Sequence, residues 1–171
     1  VSSESHDRTM PQQNMNINML TGGERPADME EGARPVAVSV VNNQRAMPQR
    51  GVAAADVVYE METEGGITRL MALYADYRTL PQVGPVRSTR DQFIQMALPS
   101  DAIMAHIGAS VYARNLLTVL DYKVVDGIYL GSTSFYFDET RAQPKPEGKL
   151  NEYCWYTNAE LLWSGMTAID V

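Results

Sequence analysis

At 171 residues, 44% of them hydrophobic, the chain is long enough to bury one ordinary core and too apolar to stay disordered. Its formal net charge of −7 excludes broad electrostatic binding of nucleic acid, which needs a basic face. The single cysteine, Cys154, excludes an internal disulfide and a cysteine-built metal cluster, and no apolar run reaches the roughly 18 residues that span a bilayer.

Residues 1–18 are polar and carry neither helical nor strand periodicity. They read as a flexible tether ahead of a single α/β domain over 19–171. A first residue of Val1 rather than Met is read as the mark of a removed N-terminal segment. Leu20 is the first residue with much to bury, and Glu24 to Ala33 is a charged loop. Pro35 to Val41 is nearly continuous and β-branched, which suits a strand buried on both faces. Val57 to Thr63 alternates, with Val57, Tyr59 and Met61 on one face and Val58, Glu60 and Glu62 on the other. Glu64-Gly65-Gly66 then signals a tight turn into a second strand from Ile67 to Tyr77, making a long β-hairpin.

The next stretch, Gly84 to Ser110, reads as a turn, a helix and a buried strand. Ser88 with Asp91 makes a variant capping box, Pro99-Ser100 ends the helix, and Ala102 to Ile107 is the strand. Ser110 caps a second helix whose apolar side holds Val111, Leu116, Leu117 and Leu120. Lys123 to Val125 is a short strand, and Asp126-Gly127 a turn. Ile128 to Phe137 fits strand or helix equally, and Asp138 to Lys149 is a charged, proline-containing loop. Tyr153 to Tyr156 is a strand; Thr157 with Glu160 caps a last helix closed by Gly165, and Thr167 to Val171 begins a further strand. Strand and helix alternate after residue 83, so the fold class is α/β, a mixed β-sheet with a long β-hairpin and flanking helices.

The basic residues are 11 Arg and 3 Lys, a bias toward fixed, bidentate contacts with carboxylate or phosphate. Arg87 and Arg90 flank a predicted helix start, where free N–H groups and the helix dipole favour anions. With Arg69 they form a candidate anion site. The competing, structural account pairs the same arginines with Glu60, Glu62, Glu64 or Asp91 to lock the hairpin onto the helix. His106 ends a strand and Ser110 starts a helix, at the sheet edge where α/β folds bind ligands. They are candidate ligand contacts, and His106 a candidate base. Gly108-Ala109-Ser110-Val111-Tyr112 lacks the second glycine of a nucleophile elbow.

Glu60 and Glu64 could act as paired carboxylates, but four strand residues separate them by roughly 13 Å, beyond the usual spacing. No cofactor is implied, and one domain histidine, one cysteine and no clustered aspartates do not make a metal shell. Tyr153, Trp155, Tyr156 and Trp163 suit either sugar stacking or a core.

Five ordered runs carry a family resemblance: Arg34 to Val38; Ala55 to Glu60; Glu64 to Arg69; Gly84 to Arg90; and Asp101-Ala102-Ile103 followed by His106 to Ser110. With Leu20-Thr21-Gly22 ahead of them, they resemble the YerB-like lipoproteins, a bacterial family of unknown function, over about residues 19–165. The resemblance implies an extracytoplasmic protein, membrane-anchored as a lipoprotein through a lipid anchor absent from this chain, with residues 1–18 as spacer. It implies a C-terminal domain of the same protein beyond this one. It carries over no catalytic residues; the recurrent polar positions match Glu60, Glu64, Arg69, Arg87, Arg90, His106 and Ser110. One departure is Leu150-Asn151-Glu152-Tyr153, where a Pro-His-Asn run is expected; a second histidine is missing.

The expectation is a non-enzymatic binding domain of the bacterial envelope. Its partner would be a cell-wall fragment, a small anion or an envelope protein. The alternatives are a cell-wall hydrolase using Glu64 or His106 as acid and base, and a purely structural interaction domain.

Overall fold

The β-branched run at Val36 becomes β1 (Val36–Asn42), buried at every residue but Asn42 because it lies at the centre of the sheet. The computed structural model describes residues 17–26, 28–29, 32–142 and 152–171. β2 (Val57–Glu62) and β3 (Thr68–Tyr74) form the antiparallel hairpin, and β3 runs antiparallel to β1. On the other side β4 (Ile103–His106) and β5 (Val125–Asp126) run parallel to β1 and to each other. The order β2-β3-β1-β4-β5 is the mixed α/β sheet that the alternating pattern predicts. A small second sheet pairs β6 (Tyr136–Phe137) with β7 (Trp155–Tyr156).

Strand alternation gives the sheet two apolar faces. Val36, Val38, Val40, Leu70, Ala72, Tyr74, Ile103 and Ala105 pack on Leu80, Val83, Val86, Phe135, Leu162 and Met166. Ala37, Met71, Leu73 and Met104 pack on Phe93 and Ala97 of α1 (Asp91–Ala97). Helices on both faces make three layers. α2 (Val111–Leu120) follows β4, α3 (Gly127–Leu130) follows β5, and α4 (Ala159–Ala168) closes the first face.

Several local readings are corrected. Ile17 and Asn18 fall inside the fold: Asn18 is buried and donates to Asp56 Oδ1 at 2.6 Å. Residues 1–16 of the expected tether, and 143–149 of the expected loop, lie outside the described residues. Ser88 does not cap α1; Arg90 holds that position and the Ser88 carbonyl is used elsewhere. Val111 is 72% exposed, and Ala113 is the buried residue of α2. The undecided stretch at Ile128 splits into α3, a 3-10 turn over Gly131–Thr133 and β6.

Asn158, not Thr157, caps α4, its side chain accepting from Leu161 N at 2.9 Å. Thr157 is fully buried and donates to the Ser134 carbonyl. Gly165 lies inside α4 instead of ending it, and Thr167-Ala168 complete that helix where a strand was expected. A Cβ on Gly165 would sit 2.2 Å from Ser134 Oγ, so the glycine marks a close approach of helix to chain.

Candidate functional site

β4 is shorter than β1, so beyond Val38 the outer half of β1 needs another partner. Residues 85–89 supply it. Val86 bridges Val40, Arg87 N donates to the Ser39 carbonyl at 2.9 Å, and Ile107 N donates to the Arg87 carbonyl at 3.2 Å. Thr89 N then donates to the Gly108 carbonyl at 3.0 Å. This splint carries Arg87 and Arg90 to the carboxyl edge of the sheet, beside Arg69 of β3. Gly84 permits it: a Cβ there would meet Tyr156 Cδ1 at 2.7 Å and the Trp155 carbonyl at 2.9 Å.

Two of the three guanidiniums, those of Arg69 and Arg90, meet around one carbonyl. Ser88 O accepts from Arg69 Nη1, from Ser39 Oγ at 3.2 Å and from Arg90 Nη1 at 3.4 Å. Arg90 also grips Glu64 with two nitrogens, at 2.7 Å and 2.6 Å, the bidentate fork that favours arginine. Arg87 Nη2 pairs with Glu152 Oε2 at 2.7 Å. Glu64 and Glu152 are 69% and 47% exposed at the side chain, so both bridges sit at the solvent rim.

Arg69 differs from its neighbours. It is only 6% exposed, makes no ion pair among the described residues, and its buried Nε has no hydrogen-bond partner. Burial, then the repulsion of Arg90 and Arg87, lowers its pKa to about 10, so it stays charged at neutral pH. Its hydrogen bond to Arg90 brings Glu64 down to about 2, leaving no proton on that carboxyl at neutral pH. A buried cation with spare donors, ringed by two more, is chemically suited to a carboxylate or phosphate.

The remaining sequence candidates separate from this cluster. Glu60 pairs across the hairpin with Leu70 and so points to the face opposite Arg69, where its Oε1 accepts from Asn42 Nδ2 and Thr68 Oγ1. Glu60 is therefore a hairpin contact, and the Glu60–Glu64 carboxylate pair does not form. His106 is fully buried; Nδ1 lies 2.8 Å from the Gly108 carbonyl and 3.6 Å from Asp126 Oδ1, while Nε2 has no partner. Burial pushes its pKa down, against the pull of Asp126, and holds it neutral. Ser110 Oγ is spent on the α2 cap, accepting from Ala113 N at 3.1 Å, and no hydrogen bond joins it to His106.

Sequence reasoning missed Glu152 and the Ser88 carbonyl as members of the cluster. Glu152 is far from Arg87 in the chain, and a backbone carbonyl carries no sequence signal. Of the aromatic group, Tyr156 is core and Trp163 is 64% exposed, so they do not form one platform.

Residues 20–168 match the family model described as "Protein of unknown function (DUF3048) N-terminal domain". The chain belongs to this family. It is 44% identical over 85 residues to the YerB protein of Bacillus subtilis (strain 168), described by its name as a candidate lipoprotein. That alignment covers 49% of this chain and 25% of the relative. The crystal structure of YerB from Bacillus subtilis superposes with a TM-score of 0.73 and 31% identity, over 87% of this chain and 48% of that one. The chain thus spans about half the length of the crystallised relative. The resemblance read from the five ordered runs is to the same family.

Proposed function

We propose that this DUF3048 domain is the ligand-binding part of a membrane-anchored, extracytoplasmic lipoprotein and recognises an anionic group at Arg69, Arg87 and Arg90. The observation that carries the reading is Arg69, a buried cation without a carboxylate of its own. Arg87 and Arg90 already hold carboxylates at the solvent rim, which marks the geometry as one that accepts them. A ligand anion displaces Glu64 or Glu152 and gains contacts with guanidiniums that are already positioned. The anchoring part of the reading is supported by the lipoprotein relative.

The wall-hydrolase alternative has less support, because Glu64 is locked as a carboxylate by Arg90 and His106 is sealed in the core. Soluble cell-wall muropeptides and inorganic phosphate, titrated by calorimetry against wild type and Arg87→Ala, test the proposal. Arg87 is at the rim, so its loss leaves the core intact. Binding by wild type that weakens about tenfold or more in Arg87→Ala supports the site, one charge-assisted bond being worth roughly 1.5–3 kcal/mol. No binding of either probe, or equal binding by both proteins, refutes anion recognition here and leaves a protein partner.

A further inference from the structure

A cavity lies at the carboxyl edge of the parallel pair β4 and β5, the edge at which open α/β sheets hold ligands. Its volume is about 310 Å³, the size of a small-molecule site, and it opens to solvent between α2, α3 and the end of α4. Leu117, Leu130 and Ile169 give it an apolar wall, and Tyr129 stands at its rim, 75% exposed. None of the three clustered arginines lines it.

Two opposite charges face this cavity and do not meet. Asp126 is 6% exposed and its Oδ1 is committed, accepting from Gly108 N and Ile128 N at 3.0 Å each. Its Oδ2 takes no hydrogen bond from a described residue. Arg114 of α2 lines the same cavity and makes no ion pair with a described residue. A simple anion entering here would be repelled by Asp126, and a simple cation by Arg114. A small molecule with both charges satisfies both walls, and an aliphatic group beside them covers the leucines and Ile169.

We propose that this cavity binds a free α-amino acid with a branched aliphatic side chain, its ammonium on Asp126 and its carboxylate on Arg114. The site is separate from the arginine cluster and stands or falls without it.

The test is an NMR titration of the ¹⁵N-labelled chain with L-leucine, D-leucine, 3-methylbutylamine and 4-methylpentanoate. The last two each remove one charge from leucine. Saturable shifts at Ala109, Leu117 and Gly127 to Leu130 are expected for at least one leucine enantiomer, with a Kd of about 1 mM or tighter. Each single-charge analogue should bind at least about tenfold more weakly. Asp126→Asn keeps an acceptor for the Gly108 and Ile128 amides, and Arg114→Gln alters an exposed helix position, so both variants should fold. Each should lose leucine binding by about tenfold or more. No saturable shift with either enantiomer, an analogue that binds as tightly as leucine, or unchanged binding in both variants would overturn the proposal.

Discussion

Arg69 is the residue on which the anion reading rests, and its neighbours make charge there testable through pH. Glu64 reports the cluster most directly. Its pKa falls from 4.5 to about 2 through the Arg90 bridge, so its contribution is present above pH 4.5 and is lost as pH drops toward 2. Because the side chain is 69% exposed, Glu64→Gln should cost about 1 kcal/mol or less at neutral pH. Urea unfolding of the two proteins should give equal stabilities once the carboxyl is protonated. His106 behaves in the other sense. Burial lowers its folded pKa below 6.5, so the unfolded chain takes up the proton first and stability falls as pH drops below that value. The loss is at most about 1.4 kcal/mol per pH unit, and His106→Gln should flatten the slope between about pH 7 and pH 5. A slope unchanged by the substitution would mean that the imidazole titrates normally.

Among the elements, α4 shows most clearly how packing overrides local preference. Helix propensity alone says that Gly165→Ala should stabilise by about 1 kcal/mol. The added Cβ would lie 2.2 Å from Ser134 Oγ and 2.8 Å from Val125 Cγ1, neither of which is the far end of a flexible side chain. Overpacking of this kind costs about 1–3 kcal/mol, so the expected outcome is a net loss of roughly 1–2 kcal/mol in denaturant unfolding. The N-terminus of α4 carries the same lesson. Thr157 and Glu160 have capping-box spacing, but Thr157 is drawn into the core by Ser134 and Asn158 takes over the cap. Ser110, by contrast, caps α2 as its sequence position predicts, because nothing else competes for its hydroxyl.

For the whole molecule, stability is concentrated on the two sheet faces and is thin on α2. Phe93 is fully buried against Met71, Leu73 and Met104, and Phe93→Ala should cost about 3–5 kcal/mol. Val119 is 81% exposed, and Val119→Ser should change stability by no more than about 0.5 kcal/mol. Denaturant midpoints measured side by side check the contrast; similar losses would mean that α2 packs against something in solution. The charge distribution is equally uneven. A chain of net charge −7 gathers Arg69 and Arg90 around one carbonyl with Arg87 in the adjoining strand segment, so anion binding there should weaken as salt screens it.

What the sequence determined by itself was whatever depends on near neighbours. The β-branched run made β1 readable as a central strand, the Glu-Gly-Gly turn made the hairpin readable, and alternation sorted Val57, Tyr59 and Met61 from Glu60 and Glu62. Arg69, Arg87 and Arg90 could be grouped by residue type alone. Tertiary structure decided which charges meet. Cross-strand register turned Glu60 away from Arg69, while the splint at 85–89 brought Ser88 O and Glu152 into the cluster from distant points. The cavity between Arg114 and Asp126 exists only because α2, α3 and α4 converge on the edge of β5. Strand and cap signals are carried by bonds spanning a few residues, whereas a site is set by pairing and packing between segments whose separation along the chain no local pattern records.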